Sequence, residues 1–544
     1  MADPDSIPIR LRAAPGLPVR LCAADGVELT VPPGLGRKGL TELLNTLLAS
    51  SDDTAADNTL PPAKARRHNF DFTVVTTGEL LRTTLLKFLR RRQLGTEKTV
   101  ELRYGLPSPP PVPEGVLAPA GEWVSSLALR PPPRRGVWGG SGGGDTVLAG
   151  VYSGAPLLGG GNPAADADAT PPPLAVVGAP VSGITGAHEA PITGVAWLPA
   201  GSAHDASTGG AFVTAGADET VRLWSAGAPS TAAAAGGDGD VAAAMTGAPP
   251  KLRGVFRSDD VATAATPFTC VAAAAAGEQG ELPVVVAGAT NGDVWVVATD
   301  ADEEDGGNTA GAPAVGGRRG RKRRAAAVPS LGGRRLDGGP RHMPISAVVF
   351  GAADELAAAA WDGTVRLWAV DTGLVRVTLP AGGKALTALA LSPSQATAVG
   401  ATASQEPSPP PSPITVMAVT AVDGGVRLLD TRVASGSVVV GASPPRRGHA
   451  GIASAVAWTG PVGLVTGGHD GGVGVWDTRS LTAPLTRLAD AAGAGGKVLA
   501  LAVGGGEEGR GERRLYSGGS DGQVWSYRLG RAGEVEGEDQ PMIM

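Results

Sequence analysis

Two sets of residues in this sequence have the types and spacing to build a polar site. His188, Thr214, Asp218 and Trp224 form one, and His449, Thr466, Asp470 and Trp476 the other; in both, Thr stands four residues before Asp and Trp six after it. A His beside a carboxylate invites a catalytic reading, as a base. Recurrence argues for a structural one: an Asp in a tight turn accepts bonds from turn amides and from the upstream His, while Thr and Trp complete a buried network. The set decays elsewhere, to Asp362 and Trp368 with Ala358 in the hydroxyl position, and to Ser517 and Asp521 with Tyr527 in place of Trp. Those copies are expected to depend more on packing.

Other chemistry is thinly represented. The six His are scattered, Cys22 and Cys270 are the only cysteines, and no spacing of the zinc-ligand kind occurs. GLGRKG (34–39) and GGSGGGD (139–145) are Gly-rich but neither continues into the Gly-Lys-Ser/Thr of a phosphate-binding loop. G-x-S-x-G is spelled only within Gly-rich turns, at 139–143 and 518–522, so no nucleophile elbow is read, and paired carboxylates fall only in low-complexity stretches. The sequence therefore predicts no enzyme, no cofactor and no small-molecule substrate.

The elements that position these residues are strands. FVTAGADETVRLW (212–224), LAAAAWDGTVRLW (356–368), LVTGGHDGGVGVWD (464–477) and LYSGGSDGQVWSY (515–527) share one pattern: an apolar strand, a turn with Asp, and a short strand that often ends in Trp. These are WD repeats. Weaker copies at EWVSSLAL with VLAGVYSGAPLL, at VVVAGATNGDVWVV and at VTAVDGGVRLLD bring the number to seven. Each would be a four-stranded blade, stacked in a closed ring so that no edge is left open. The propeller is expected over 122–530, after a linker at 105–121.

Residues 7–104 have a different texture. IPIRLRA alternates as a strand, ADG at 24–26 signals a turn, and VELTVPP reads as its hairpin partner. Leu40, Leu43, Leu44, Leu47 and Leu48 then lie on one helical face. NFDFTVV, a short helix within GELLRTTLLKFLRRRQLG, and KTVELRY complete the order β-β-α-β-β of a ubiquitin-like β-grasp. The fold class is thus mainly β, with an N-terminal β-grasp domain followed by a seven-bladed propeller.

Composition sets the outer bounds. Gly (82) and Pro (46) make up about a quarter of the 544 residues, which argues against an all-α protein. Aromatics are 4%, so the core is built mainly from Val, Leu and Ala. A net charge of −6 gives no global basic field for nucleic acid, and no apolar run of membrane-spanning length appears. With no signal-peptide pattern at the N-terminus and only two Cys, an intracellular, reduced setting is expected. Residues 225–250 are low-complexity Ala/Gly/Pro and are expected to be a disordered loop. The insert at 300–341 begins acidic and turns basic: Arg318, Arg319, Arg321, Lys322, Arg323 and Arg324, followed by Arg334 and Arg335, have the two-cluster form of a nuclear-import signal and could touch RNA phosphates.

Several segments together carry a family resemblance: GLTELLNTLL (39–48), FDFTVVTTGELLRTTLLKFLRRRQLGTEKTVELRY (70–104), the junction EWVSSL (122–127), and a basic insert between the third and fourth blades. The chain resembles the WD-repeat subunit of the PeBoW complex, the Ytm family of ribosome-biogenesis factors, with its N-terminal NLE ubiquitin-like domain. The resemblance implies a protein of the nucleus, in nucleolus and nucleoplasm, that serves large-subunit (60S) maturation and pre-rRNA processing without catalysis. Implied partners are a block-of-proliferation protein bound by the propeller, Pescadillo held through it, the pre-60S particle with possible rRNA contact, and the AAA ATPase midasin. In that family the MIDAS domain of midasin grips the ubiquitin-like domain through a Glu that completes the coordination of the MIDAS metal. The matching position in LGTEKTVELRY is Glu97. The chemistry agrees, because a hard divalent cation takes oxygen ligands and a carboxylate on a rigid turn can fill one vacant position.

The sequence departs from the family in its first blade, where VYSGAPLL replaces a Ser-Tyr-Asp turn and a Trp, and in its fifth, which carries PSPPPSP at 407–413. Two alternatives stand beside this reading. A Notchless-like 60S assembly factor also joins the two domain types but with eight blades, and a WD-repeat substrate receptor of a ubiquitin ligase would show an F-box or similar adaptor motif.

Overall fold

The protein is described from a computed structural model. The structure describes residues 5–15, 17–52, 67–119, 121–130, 146–160, 175–176, 188–199, 210–225, 251–258, 266–274, 283–299, 330–340, 342–351, 355–393, 416–432, 439–444, 447–489, 491, 495–504 and 513–530. The segments expected to be loop inserts, 226–250 and most of 300–341 including Arg318–Arg324, lie outside them, as do the PSPPPSP run and most of the Gly/Pro-rich stretch of the first blade. The chain divides into two compact units, residues 1–112 with 529–544, and residues 113–528.

The first unit is a β-grasp. Strand β1 (Ile7–Ala13) alternates buried and half-exposed residues because one face meets the core and the other solvent. It pairs antiparallel with β2 (Glu28–Val31) and parallel with β5 (Val100–Gly105). Strands β3 (Asp71–Val74) and β4 (Glu79–Leu80) extend the sheet on the far side of β5, giving the order β2-β1-β5-β3-β4. Helix α1 (Arg37–Asp52) buries Leu40, Leu44 and Leu48, with Leu43 and Leu47 packed against the same core. The short α2 (Leu85–Arg91) buries Leu85, Phe88 and Leu89. Tyr104 is fully buried on β5 and donates to the carbonyl of Leu21 at 3.0 Å; burial pushes its phenol up to about 12.

The second unit is a β-propeller. Among the described residues it contains seven four-stranded sheets. The innermost strands are Val124–Leu129, Ile192–Trp197, Phe268–Ala274, Ile345–Phe350, Leu386–Leu391, Ala453–Trp458 and Val498–Gly504. Each packs on the next, and the last packs on the first, so the ring closes. Apolar side chains fill the spaces between blades. Val124, Val147 and Ala149 of the first blade meet Tyr516 and Val524 of the last, and Ala357 and Ala359 of the fourth meet Leu386, Leu389 and Met417 of the fifth. The fourth blade tolerates the all-buried run ELAAAA because larger neighbours supply the volume.

Two expectations from the sequence need correction. The stretch read as a linker, 105–121, contains strand β6 (Val112–Pro119), which is the outer strand of the last sheet, next to Gln523–Leu529. Glu114 on β6 accepts from Arg514 at 2.9 Å and from Ser526 at 3.3 Å, so the ring is locked by residues about four hundred positions apart. Arg334 and Arg335, read as the second basic cluster of an import signal, lie in a strand (Gly333–Leu336) of the third blade. There Arg334 donates to the carbonyl of Val370 at 2.5 Å and Arg335 faces Asp293 at 3.7 Å. The first blade, despite its degraded sequence, still forms four strands, the last only two residues long.

Candidate functional site

In the β-grasp unit the candidate is Glu97. Helix α2 ends at Arg91, Gln93 turns the chain with φ of 54°, and Leu94 donates back to the carbonyl of Leu89 at 2.9 Å. The following loop is held between half-buried Leu94 and buried Val100, the first residue of β5. Glu97 is exposed on a bend in that loop, and among the described residues no hydrogen bond or ion pair engages its carboxylate. A side chain so placed can offer both oxygens to a partner. No group of three or more His, Cys, Asp or Glu among the described residues is arranged to hold a metal.

In the propeller the polar residues assemble into two matching chains of hydrogen bonds. His188 Nδ1 lies 2.8 Å from Asp218 Oδ1, His188 Nε2 lies 2.7 Å from Thr214 Oγ1, and the Trp224 indole donates to that hydroxyl at 3.0 Å. His449 makes the same contacts with Asp470 at 2.9 Å and Thr466 at 2.8 Å, and Trp476 donates to Thr466 at 2.8 Å. With the proton on Nδ1, the ring donates to the carboxylate and accepts from the hydroxyl, which accepts from the indole; every buried group is then satisfied. Burial holds the His188 imidazole below its ordinary range, against the pull of Asp218. Burial works to raise the Asp218 pKa, but the bonds from His188 and Thr220 and the nearby Arg222 outweigh it and hold the carboxyl well below the usual range. Both His are enclosed in packed blades, which fits framework and not catalysis.

The incomplete sets find other partners. The Trp368 indole, facing Ala358 where the others have Thr, donates instead to the carbonyl of Asp337 at 2.8 Å. Ser517 donates to the carbonyl of Ala491 at 3.1 Å, and Asp521 accepts from the Trp525 indole at 2.8 Å. Sequence reasoning missed the cations that complete these turns. Arg222, Arg366 and Arg427 each pair with the Asp four residues earlier, Asp218, Asp362 and Asp423, at 3.0, 2.7 and 2.6 Å. The signal was present in DETVRLW, DGTVRLW and DGGVRLL.

A second missed repeat lies around the central channel. Every inner strand bulges at its second residue, which is Ser125, Thr193, Thr269, Ser346, Thr387 and Ser454 in six blades and Leu499 in the seventh. The bulge turns the side chain aside, and five of the hydroxyls donate across to the next blade, Thr193 to the carbonyl of Phe268 at 2.9 Å and the others to Ile192, Ile345, Ala453 and Val498. The channel they line holds about 230 Å³, and among the described residues no Asp, Glu, His, Lys or Arg lines it. Its Cys270 thiol is buried and pushed up to about 11 by that burial.

Residues 18–89 match the NLE (NUC135) domain, and residues 180–225 and 338–369 match the WD domain, G-beta repeat. A protein of Chlamydomonas reinhardtii named ribosome biogenesis protein WDR12 homolog is 28% identical over 508 residues, 92% of this chain and 93% of its own length. The chain joins an NLE domain to WD repeats, and its resemblance to the Ytm family is borne out. The ribosome biogenesis protein ytm1 of Botryotinia fuckeliana is 29% identical over 36% of this chain and 35% of its own length. A WDR12 homolog of Aedes aegypti is 27% identical over 37% of this chain and 36% of its own length. The NLE match stops before Glu97, so the role of that residue rests on its place in the loop and on the resemblance alone.

Proposed function

We propose that this protein is a non-catalytic scaffold of large ribosomal subunit assembly in the nucleus. The observation that carries the reading is the end-to-end likeness to a ribosome biogenesis protein, which spans both units, where a shared propeller alone would fit many functions. The propeller binds a block-of-proliferation partner and through it Pescadillo. The β-grasp unit presents Glu97 to the metal of the midasin MIDAS domain, so that ATP-driven pulling releases the complex from the pre-60S particle. The buried histidines and the uncharged channel lining support a binding role for the propeller. Seven four-stranded sheets in a closed ring support the Ytm-like over the Notchless-like reading. Depleting the protein from its own cells tests this. Accumulation of large-subunit rRNA precursors with normal small-subunit rRNA is expected, and normal maturation of both would contradict the reading.

A further inference from the structure

One end of the propeller exposes apolar side chains that its turns do not require. Trp361 and Met343 are 52% and 45% exposed. Trp361 stands at the turn of the fourth blade, one residue before Asp362, where five other blades have Ala217, Thr290, Val422, His469 and Ser520 and the first has Tyr152, the one other exposed aromatic among these positions. Its backbone N–H donates to the carbonyl of Pro344 at 3.0 Å, which places it beside the loop bearing Met343. On its other side the turn abuts the loop Gly382–Lys384: a Cβ built on Gly363 would lie 3.0 Å from the Lys384 nitrogen. Gly382 and Gly383 both have positive φ, 101° and 71°, and a Cβ on Gly383 would meet nothing within 4 Å. The result is a shelf of bare backbone between an exposed indole and an exposed ammonium, open to the approach of another main chain.

Charge selects what can lie there. Lys384 has no ion-pair partner among the described residues, and Arg447 and Lys497 are exposed in the corresponding loops of the sixth and seventh blades. Among the described residues, the exposed carboxylates of these loops are Glu122 and Glu189, of the first and second blades, and Asp337, at the start of the loop that bears Met343. The guanidiniums nearest the shelf are already spent on Asp362 and Asp423. A nucleic-acid backbone, which needs several free cations along its path, is therefore poorly served, whereas an exposed Trp and Met with a single exposed ammonium, Lys384, beside them match the make-up of a protein interface core.

We propose that the rim from Met343 across Trp361 to Lys384 docks an extended, acidic segment of a protein partner, with an apolar residue of that segment seated against the Trp361 indole. The proposal deepens the reading of the propeller as a partner-binding scaffold and rests on it. The test pans a random dodecapeptide display library on the full chain, then titrates the best peptide, synthesised with a fluorophore, against the wild type and the variants Trp361→Ala, Lys384→Glu and Glu189→Lys. Enrichment of Asp and Glu around an apolar residue is expected. Affinity should fall about tenfold in each of the first two variants and stay unchanged in the third, with all melting as the wild type does. Failure to enrich any peptide, enrichment of basic peptides, or equal binding by Trp361→Ala would overturn the proposal. So would oligouridine RNA binding that both rim variants abolish. Recovery of ribosome assembly factors with the wild-type chain is a separate readout, so failure of this surface is distinguishable from failure of the scaffold reading.

Discussion

Glu97 is a single carboxylate on an exposed bend, and its surroundings contribute nothing to its stability. Glu97→Ala should therefore leave the melting temperature unchanged while abolishing Mg²⁺-dependent binding to a MIDAS domain, as measured with and without chelator; undiminished, chelator-sensitive binding by the variant would assign the ligand to another residue. The buried networks behave in the opposite way. Thr466 satisfies both the His449 ring and the Trp476 indole. Thr466→Val keeps the shape but orphans both, and should cost about 2 kcal/mol of propeller stability in denaturant titration. Acidity acts through the same contacts. His188 and Asp218 both have lowered pKa values in the folded state, so the unfolded chain binds protons first as pH falls. Stability should decline as pH drops below the ordinary His value of 6.5, and further below the ordinary Asp value of 3.8. A melting temperature that is flat from pH 7 to about 4 would contradict the assignment. These sets were legible because their members recur at fixed short offsets. The Trp368 bond to Asp337 was not, since that acceptor lies in another loop and is a backbone carbonyl that any residue could supply.

Elements differ in how far their partners lie along the chain. The β-grasp strands and α1 are readable from local alternation and from one leucine face, and the structure places them close to where the sequence suggests. Strand β6 is not readable in this way, because it sits in a Pro-rich stretch and is ordered only by strands at the far end of the chain. Its lock is mostly buried: the Arg514 and Glu114 side chains are 16% and 17% exposed. Glu114→Ala removes the ion pair with Arg514 and the bond from Ser526 and should cost about 2 kcal/mol, seen as earlier unfolding of the propeller in a thermal melt. The bulged hydroxyls around the channel were legible in principle, as the repeated pairs VS, IT, FT, IS, LT and AS that open six inner strands. Their cue is a two-residue pattern spaced by inserts of unequal length, which hides the period. Thr193→Ala removes one bond between blades and should cost about 1 kcal/mol.

At the scale of the whole molecule, the sequence shows a ring of blades and a separate small domain, and the closed contact of first and last inner strands is what the repeat demanded. Function was legible only through the combination of the two units. The buried blade residues named above are explained by packing and hydrogen bonding, which any propeller needs, so the proposed scaffold role rests on exposed surfaces and partners. The most direct measurement is purification of the tagged protein from its own cells at moderate salt, followed by mass spectrometry of what co-elutes. The account predicts a block-of-proliferation protein and Pescadillo together with pre-60S proteins. Recovery of ubiquitin-ligase subunits, or of no ribosomal factor at all, would contradict it.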